Sequence, residues 1–215
     1  MKKTKISKIT ATIIVMIACV ISVHAAKFIL KSLRSHLPNY SILARAKGNP
    51  KAPIKIIEYL DFQCPACAKG AIALKEYLKK YPSQIYLEVK HYPISQIHKY
   101  ALKSASYAEC SAKQGKFWEF HDFLVKEQSR WERLLNVDAI FREKAHALGL
   151  DLKKLDACVE SEETKAGILK EKEQGKALGI KSTPTYFING KMVVGMISLK
   201  QALDRHFAEQ KTGKP

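Results

Sequence analysis

The sequence contains neither an internal repeat nor a low-complexity tract, which argues against a repeat architecture. Its 215 residues are 47% hydrophobic, so the chain can bury one core and has room for an inserted lobe. Basic residues interleaved with aromatic ones are also missing, although the net charge is +17. We therefore expect no nucleic-acid binding, the more so because an exported chain would not meet that substrate.

Long hydrophobic runs are missing except near the N-terminus, where the stretch from Ile9 to Ala26 follows four lysines. A helix that crosses a bilayer needs about 20 apolar residues, and this stretch falls just short of that. Residues 1–25 therefore predict an export signal or an uncleaved membrane anchor. A lipoprotein site at Cys19 is a third interpretation, for which the hydrophobic region would be very short. In each case the rest of the chain is expected in the periplasm or at the outer face of the cytoplasmic membrane.

Acidic residues are absent from residues 26–52, which carry six basic side chains. We expect residues 26–47 to form a basic stem with a short amphipathic helix that ends before Pro38. Such a stem could contact anionic lipid headgroups at the membrane surface, although a solvated lysine-rich surface has the same composition. Gly48-Asn49-Pro50 predicts a turn at which the globular domain begins.

Cysteine is scarce, with five in the chain, and Cys19 falls within the predicted signal. The other four are an even set, which is expected to pair in an oxidising compartment. Two of them, Cys64 and Cys67, are so close together that they are either redox-active or metal-binding. The distant pair, Cys110 and Cys158, is expected to form a structural disulfide, because a second redox centre there would lack the spacing of a dithiol.

Hydrophobic patterns on both sides of Cys64 and Cys67 predict a mixture of strands and helices. Strand patterns are found at four places, residues 54–60, 84–91, 185–188 and 192–194. Helical patterns are found at residues 68–80, at residues 95–178 with Gly115, Gly149 and Gly167 between helices, and at residues 199–207 after a candidate cap, Ser198. The predicted order is β-α-β, a helical insertion, and β-β-α.

Four segments of the chain match, in order, the motifs of a known family. They are GNPKAP at residues 48–53, EYLDFQCPAC at 58–67, FWEFHD at 117–122 and STPTYFING at 182–190. With these motifs, residues 48–207 resemble the exported DsbA-like thiol:disulfide oxidoreductases. The resemblance implies an α/β protein with a thioredoxin fold, formed by residues 48–94 and 179–210, and an inserted all-helical subdomain at residues 95–178.

The position of Cys64 at the predicted start of a helix suits a nucleophilic thiolate, because unpaired N–H groups and the helix dipole stabilise negative charge there. Cys67, one turn further along, should be buried and should attack a mixed disulfide on Cys64. The resemblance implies a cis peptide bond before Pro184, which leaves the preceding backbone free to pair with an extended substrate. An ordinary trans proline is the alternative. Thr183 precedes this proline. The residue type at the corresponding position differs between oxidase-like and isomerase-like relatives, so Thr183 leaves an isomerase role open.

Glu58 lies in a predicted buried strand, six residues before Cys64. A buried carboxylate must be paired, hydrated or neutral. The resemblance implies that Glu58 accepts the Cys67 proton, with Lys90 on the neighbouring strand as its counter-ion. The alternative is a glutamate that faces solvent at a strand end. Asp61 is expected to be a surface charge.

Together these features predict an exported enzyme that donates the Cys64–Cys67 disulfide to reduced or unfolded exported proteins. The resemblance implies reoxidation by a membrane-embedded, quinone-linked partner similar to DsbB, and no separate cofactor is expected. A disulfide isomerase or reductase is the alternative among enzymes. The alternatives from other classes are a copper or zinc carrier and a chaperone, but a full zinc site would need further ligands such as His91 or His98.

Overall fold

The computed structural model describes residues 16–17 and 44–212, with side chains as far as Glu209. The predicted export signal and nearly all of the basic stem therefore lie outside the described residues. Among the helices that are described, none has both the length and the apolar character needed to cross a membrane.

Five strands form one mixed sheet. They are β1 (Ala46–Gly48), β2 (Ile54–Leu60), β3 (Ile85–His91), β4 (Thr185–Ile188) and β5 (Lys191–Val194). Their order across the sheet is β1-β3-β2-β4-β5, with β2 and β3 parallel and the other neighbours antiparallel. Strand β2 is the central strand, which agrees with the prediction of a buried strand from its β-branched residues.

Eight helices lie between and after the strands in the described part of the chain. They are α1 (Pro65–Lys80), α2 (Ala101–Ala112), α3 (Phe117–Lys126), α4 (Gln128–Trp131), α5 (Asp138–Ala147), α6 (Leu152–Glu160), α7 (Glu162–Ala177) and α8 (Met196–Thr212). Helix α1 is the crossover that the parallel strands β2 and β3 require. Helices α2 to α7 form the insertion between β3 and β4. The predicted mixed α/β architecture with a helical insertion is therefore confirmed.

The globular part of the chain begins earlier than predicted, because β1 pairs with β3 and so belongs to the sheet. Three residues are too few to produce an alternating pattern, so this strand could not be recognised from the sequence. Arg45, just before β1, is buried and donates two hydrogen bonds to the carboxylate of Glu171 in α7. This contact joins the start of the sheet to the helical insertion.

Two predictions about where the helices begin and end are wrong. Gly167 lies inside α7 rather than between helices, and nothing lies within 4 Å of the position that a Cβ would take there. An exposed helix tolerates glycine at a cost of about 1 kcal/mol, so the residue need not end the helix. Helix α8 begins at Met196, directly after Gly195 with φ 83°, so Ser198 is not its cap.

A single large core connects the sheet, α1 and the helical insertion. The insertion contributes Phe120 and Trp131, both fully buried, which pack edge-on against Phe141. These aromatic residues therefore form the core of the insertion. Cys110 of α2 and Cys158 of α6 form a disulfide with an S–S distance of 2.02 Å, which links two helices of this lobe.

Candidate active site

The two thiols of the CPAC segment lie where β2 gives way to α1. Cys64 is the residue immediately before the helix, and Pro65 occupies the first helical position, where no N–H donor is needed. The N–H groups of Cys67 and Ala68 donate to the carbonyl oxygen of Cys64 at 3.0 and 3.2 Å. Cys64 is 9% exposed and Cys67 is 2% exposed, so the outer sulfur is the more accessible one. Both are free thiols in this structure.

The segment before β4 contributes the second part of the site. The Thr183–Pro184 peptide bond is cis, which excludes the trans alternative for this proline. The Cys64 thiol donates to the carbonyl oxygen of Thr183, with the two atoms 3.4 Å apart. The structure thus brings Thr183 and Pro184 beside the outer sulfur, although they lie more than a hundred residues away in the sequence.

The surroundings separate the acidities of the two thiols. A hydrogen bond from the Cys67 thiol is the main cause that lowers the pKa of Cys64 to about 5, with backbone N–H groups contributing and burial opposing. Burial is the main cause that raises the pKa of Cys67 well above its usual value, and the nearby Cys64 sulfur adds to the effect. At neutral pH, Cys64 is therefore a thiolate and Cys67 a thiol, which is the division of roles that thiol exchange needs.

This acidity predicts rapid alkylation of Cys64 in weak acid. At pH 6 a thiol with a pKa of about 5 is mostly ionised, whereas an ordinary cysteine with a pKa of about 8.5 is ionised to less than about 1%. The lower intrinsic nucleophilicity of an acidic thiolate cancels part of this advantage, so we expect iodoacetamide to modify Cys64 about 10-fold faster than cysteine in a short peptide. Mass spectrometry of the reduced protein measures the rate. Buried Cys67 should stay unmodified in the same sample, and equal rates for Cys64 and the peptide would contradict the assigned acidity.

Glu58 is fully buried in β2. Across the described part of the chain, neither of its carboxylate oxygens has a hydrogen-bond partner of good geometry. Burial raises the pKa of Glu58 to about 8, against a smaller opposing effect of the Tyr186 hydroxyl group. The side chain is therefore mostly protonated at neutral pH, and the prediction of a solvent-facing glutamate is excluded.

The prediction that Lys90 is the counter-ion of Glu58 is wrong. In the parallel pair of β2 and β3, Val89 lies opposite Glu58, and Lys90 lies opposite Tyr59. Because successive side chains of a strand point to opposite faces, Lys90 is on the other face of the sheet from Glu58. Its amino group instead lies 3.6 Å from Oε1 of Glu88. The prediction placed Lys90 on the correct strand but on the wrong face of the sheet.

Asp61 is a structural residue of the site rather than the surface charge that was predicted. It is buried, and its carboxylate accepts hydrogen bonds from the backbone N–H groups of Gln63 and Ile94. The second oxygen also lies 2.8 Å from Nδ1 of His98. Its own N–H group points to the Cys67 sulfur at 3.5 Å. An aspartate that bonds to the N–H group two residues later is a recognisable turn signal, but its partners at Ile94 and His98 are not local.

A cavity of about 440 Å³ borders Glu58, and Lys75, Trp118, His121 and Asp122 also line it. Nδ1 of His121 lies 3.3 Å from Oδ1 of Asp122, and burial lowers the pKa of this histidine. Within the described residues, Nε2 of His121 has no hydrogen-bond partner. The segment FWEFHD was recognised as a motif in the sequence. No feature of the sequence indicated that His121 would line the same cavity as Glu58.

The histidines considered as further zinc ligands lie against other groups. Nε2 of His91 is 3.5 Å from the carboxylate of Glu109, and His98 is directed to Asp61. The described residues contain no cluster of three or more His, Cys, Asp or Glu side chains that could hold a metal ion.

A dithiol at a helix start, facing a cis-proline at the beginning of a neighbouring strand, defines a redox site of the thioredoxin type. The family model described as Thioredoxin matches residues 42–204, and the chain belongs to this family. Among curated proteins, the probable disulfide bond formation protein D of Bacillus anthracis is 30% identical over 173 residues, which cover 74% of this chain and 76% of that protein.

Within the family, the fold is DsbA-like. The structure of α-DsbA1 from Wolbachia pipientis superposes with a TM-score of 0.65 at 21% identity, covering 79% of this chain and 93% of that one. BdbD from Bacillus subtilis gives 0.64 at 19% identity, with coverages of 76% and 93%. At these identities the likeness concerns the fold.

Another group of relatives is much longer than this chain. The Na(+)/H(+) antiporter NhaA 3 of Salinispora tropica is 33% identical over 145 residues, which cover 67% of this chain and 21% of the antiporter. The chain spans about a quarter or less of the length of the antiporter relatives that it matches.

Proposed function

We propose that this protein is a thiol:disulfide oxidoreductase that donates the Cys64–Cys67 disulfide to reduced client proteins. The observation that carries the proposal is the placement of Cys64 at the start of α1, beside the Thr183 carbonyl oxygen, with the more deeply buried Cys67 one turn further on. This placement lowers the pKa of Cys64 and raises that of Cys67. A thiol of low pKa is a good leaving group, so a mixed disulfide between Cys64 and a client breaks readily at Cys64. The name of the Bacillus anthracis relative, which refers to disulfide bond formation, supports the same role.

The exchange takes two steps. A client thiolate attacks the Cys64 sulfur, so that a client–Cys64 bond forms, the Cys64–Cys67 bond breaks, and Cys67 leaves as a thiolate that takes up a proton. A second client thiolate then attacks the client sulfur of the mixed disulfide, and Cys64 leaves as a stable thiolate. The client has lost two electrons, and the dithiol has gained them. Glu58, protonated at neutral pH, is the proposed source of the Cys67 proton.

The backbone beside Pro184 is the proposed docking site for the client. The cis bond and the nearby Thr183 carbonyl oxygen lie against the Cys64 sulfur, where an extended client segment could pair with the strand end. Main-chain pairing of this kind tolerates many client sequences. We assign no cofactor to the reaction, because the two sulfur atoms hold the electrons themselves.

An exported location and a reoxidising partner complete the proposal. The sequence of residues 1–25 and the Cys110–Cys158 disulfide both suit an oxidising compartment outside the cytoplasm. Each turnover leaves Cys64 and Cys67 reduced, so a membrane-embedded, quinone-linked protein similar to DsbB is the proposed electron acceptor. The basic stem would keep the enzyme close to that membrane.

Ribonuclease distinguishes oxidation from isomerisation. We expect the oxidised full chain to oxidise reduced ribonuclease mole for mole, with one disulfide formed in the client for each Cys64–Cys67 pair reduced, measured by thiol titration. With scrambled ribonuclease we expect no recovery of activity, because the protein should donate its disulfide rather than rearrange existing ones. Recovery of scrambled ribonuclease without net oxidation would overturn the oxidase role in favour of the isomerase. A Cys64→Ser/Cys67→Ser variant provides the blank.

A further inference from the structure

Tyr186 carries a hydroxyl group whose role the exchange chemistry leaves open. The residue is fully buried in β4, and among the described residues its hydroxyl group has no hydrogen-bond partner of good geometry. Buried polar groups are nearly always paired in native proteins, so an unpaired one calls for an explanation. Among the same described residues, the two carboxylate oxygens of Glu58 also have no hydrogen-bond partner of good geometry.

The backbone places this hydroxyl group between Glu58 and the helix that carries the thiols. In the antiparallel pair of β2 and β4, Tyr186 lies directly opposite Glu58, so the two side chains share one face of the sheet. A Cβ at Gly70 would overlap the Tyr186 hydroxyl oxygen and would lie 3.6 Å from the Pro184 ring. Gly70 is one helical turn after Cys67, so the hydroxyl group reaches α1 next to the buried thiol because this position has no side chain.

The electrostatics agree with this placement. Burial raises the pKa of Tyr186, and the charges of Glu58 and Cys67, together with a hydrogen bond to Glu58, raise it further. The hydroxyl group therefore stays protonated, and it can donate one hydrogen bond while it accepts another. A group with both capacities, placed between an acid and a thiol, can pass a proton without changing its own charge.

We propose that Tyr186 relays the proton between Glu58 and Cys67. When Cys67 leaves as a thiolate, the tyrosine O–H gives its proton to the Cys67 sulfur and takes the proton of the Glu58 carboxyl group. The step converts a thiolate and a carboxylic acid into a thiol and a carboxylate, and the tyrosine ends unchanged. During reoxidation the proton returns by the same route. Tyr186 is thus a catalytic residue that exchanges protons with both Glu58 and Cys67, and this inference rests on the proposed exchange function.

Several other titratable or charged groups face this pair. Cys64 and Cys67 at the start of α1 act on Tyr186, and the cavity that borders Glu58 is lined by Lys75 and Glu76 of α1, Lys47 of β1, and His121 and Asp122 of α3. Burial lowers the pKa of His121, and despite burial the hydrogen bonds from His121 and Lys75 lower that of Asp122. Cys64 and Cys67 are joined in a disulfide in the oxidised protein and therefore do not titrate there. A transition near pH 8 therefore belongs to Glu58.

Single-turnover reduction of the oxidised full chain by glutathione tests the relay. The rate of Cys64–glutathione formation is measured from pH 6 to pH 9 by acid quench and mass spectrometry, and divided by the glutathione thiolate concentration. For the wild type we expect this rate to fall as the pH rises through about 8, because Glu58 then loses the proton that it supplies. For Tyr186→Phe we expect a rate about 10-fold lower at pH 7 and no change near pH 8.

Two further variants complete the design. Gly70→Ala should also abolish the change near pH 8, because the new methyl group displaces the hydroxyl group. Tyr92→Phe is the matched control, since Tyr92 is buried in a separate cluster and its hydroxyl group donates to the Ile180 carbonyl oxygen at 2.9 Å. We expect it to keep the wild-type rate and pH profile.

Three results would overturn the relay. The first is a wild-type rate and profile in Tyr186→Phe, and the second is a uniform slowing with the profile intact, which a purely structural role would produce. The third is a wild-type rate per thiolate that does not change near pH 8. Glutathione reacts with the disulfide whether or not ribonuclease is oxidised, so failure of the relay and failure of the proposed function give different results.

Discussion

The stability of the reduced protein relative to that of the oxidised protein is expected to rise steeply with pH. In the reduced protein the pKa of Cys64 falls from 9.0 to about 5 on folding, so between these values the folded protein binds fewer protons than the unfolded chain. The stabilisation is complete above the unfolded pKa and is lost as the pH falls through about 5. Its slope is half of about 1.4 kcal/mol per pH unit at pH 5 and approaches that value above pH 6, and water near the sulfur weakens the effect. We therefore expect the stability of the reduced protein relative to the oxidised one to rise by about 3 kcal/mol between pH 5 and pH 8. Urea unfolding of both forms across this range measures it.

The oxidised protein is the internal control for this experiment. Ionisable groups outside the dithiol are present in both forms, so most of their contribution cancels in the difference between the two stabilities. Cys67 adds little slope below about pH 8, because its pKa is raised in the folded protein and it is mostly neutral in both states there. A reduced Cys64→Ser protein should lose the slope. A difference between the two forms that does not vary from pH 5 to pH 8 would contradict the acidity of Cys64.

The same free energy determines the direction of electron flow. An interaction that stabilises the reduced form over the oxidised form raises the reduction potential, by about 30 mV for each 1.4 kcal/mol. Because the thiolate at Cys64 is stabilised only when the disulfide is open, the folded protein favours the dithiol. A protein with this preference gives its disulfide to clients, which is the basis for placing the oxidase ahead of the isomerase.

Much of the fold could be predicted because its signals are local. The run Ile54–Leu60 is rich in β-branched residues, and Asn189-Gly190 has the two positive φ angles, 47° and 84°, that a tight hairpin turn requires. Pro65 directly after Cys64 likewise marks a helix start through its own geometry. The strand β1 left no such signal, because its three residues are held by pairing with β3 rather than by their own preferences.

The candidate site likewise contains residues that local signals predict and residues that they do not. The roles suggested for Cys64 and Cys67 depend on one helix start, so neighbouring residues were enough to predict their environment. The surroundings of Glu58 depend on strand register, which places Tyr186 opposite it and turns Lys90 to the other face. A shift of one residue in register reverses the face of every side chain, and single-sequence patterns do not fix it to that accuracy.

Replacement of Glu58 by glutamine is expected to stabilise the protein at neutral pH and not in acid. Burial raises the pKa of Glu58 from 4.5 to about 8, so the folded protein retains a proton that the unfolded chain releases. The contribution of Glu58 to stability is therefore most favourable below pH 4.5 and becomes less favourable as the pH rises toward about 8, with a cost of about 3 kcal/mol already present at pH 7. The amide of Glu58→Gln does not ionise, so this cost disappears. Urea unfolding of the two reduced proteins at pH 4.5 and pH 7 measures the change.

The pH dependence is a sharper test of Glu58→Gln than the absolute stability. A buried amide without partners has its own desolvation cost, but that cost is the same at both pH values and cancels in the comparison. Glu76→Gln, on an exposed position of α1, is the matched control and should show no comparable change, because its side chain is in water in both states. A constant difference between Glu58→Gln and the wild type would mean that Glu58 finds a partner for its charge. The proposed role explains why a carboxyl group with this cost is present, because the departing Cys67 thiolate needs its proton. Active sites commonly lose stability in exchange for function.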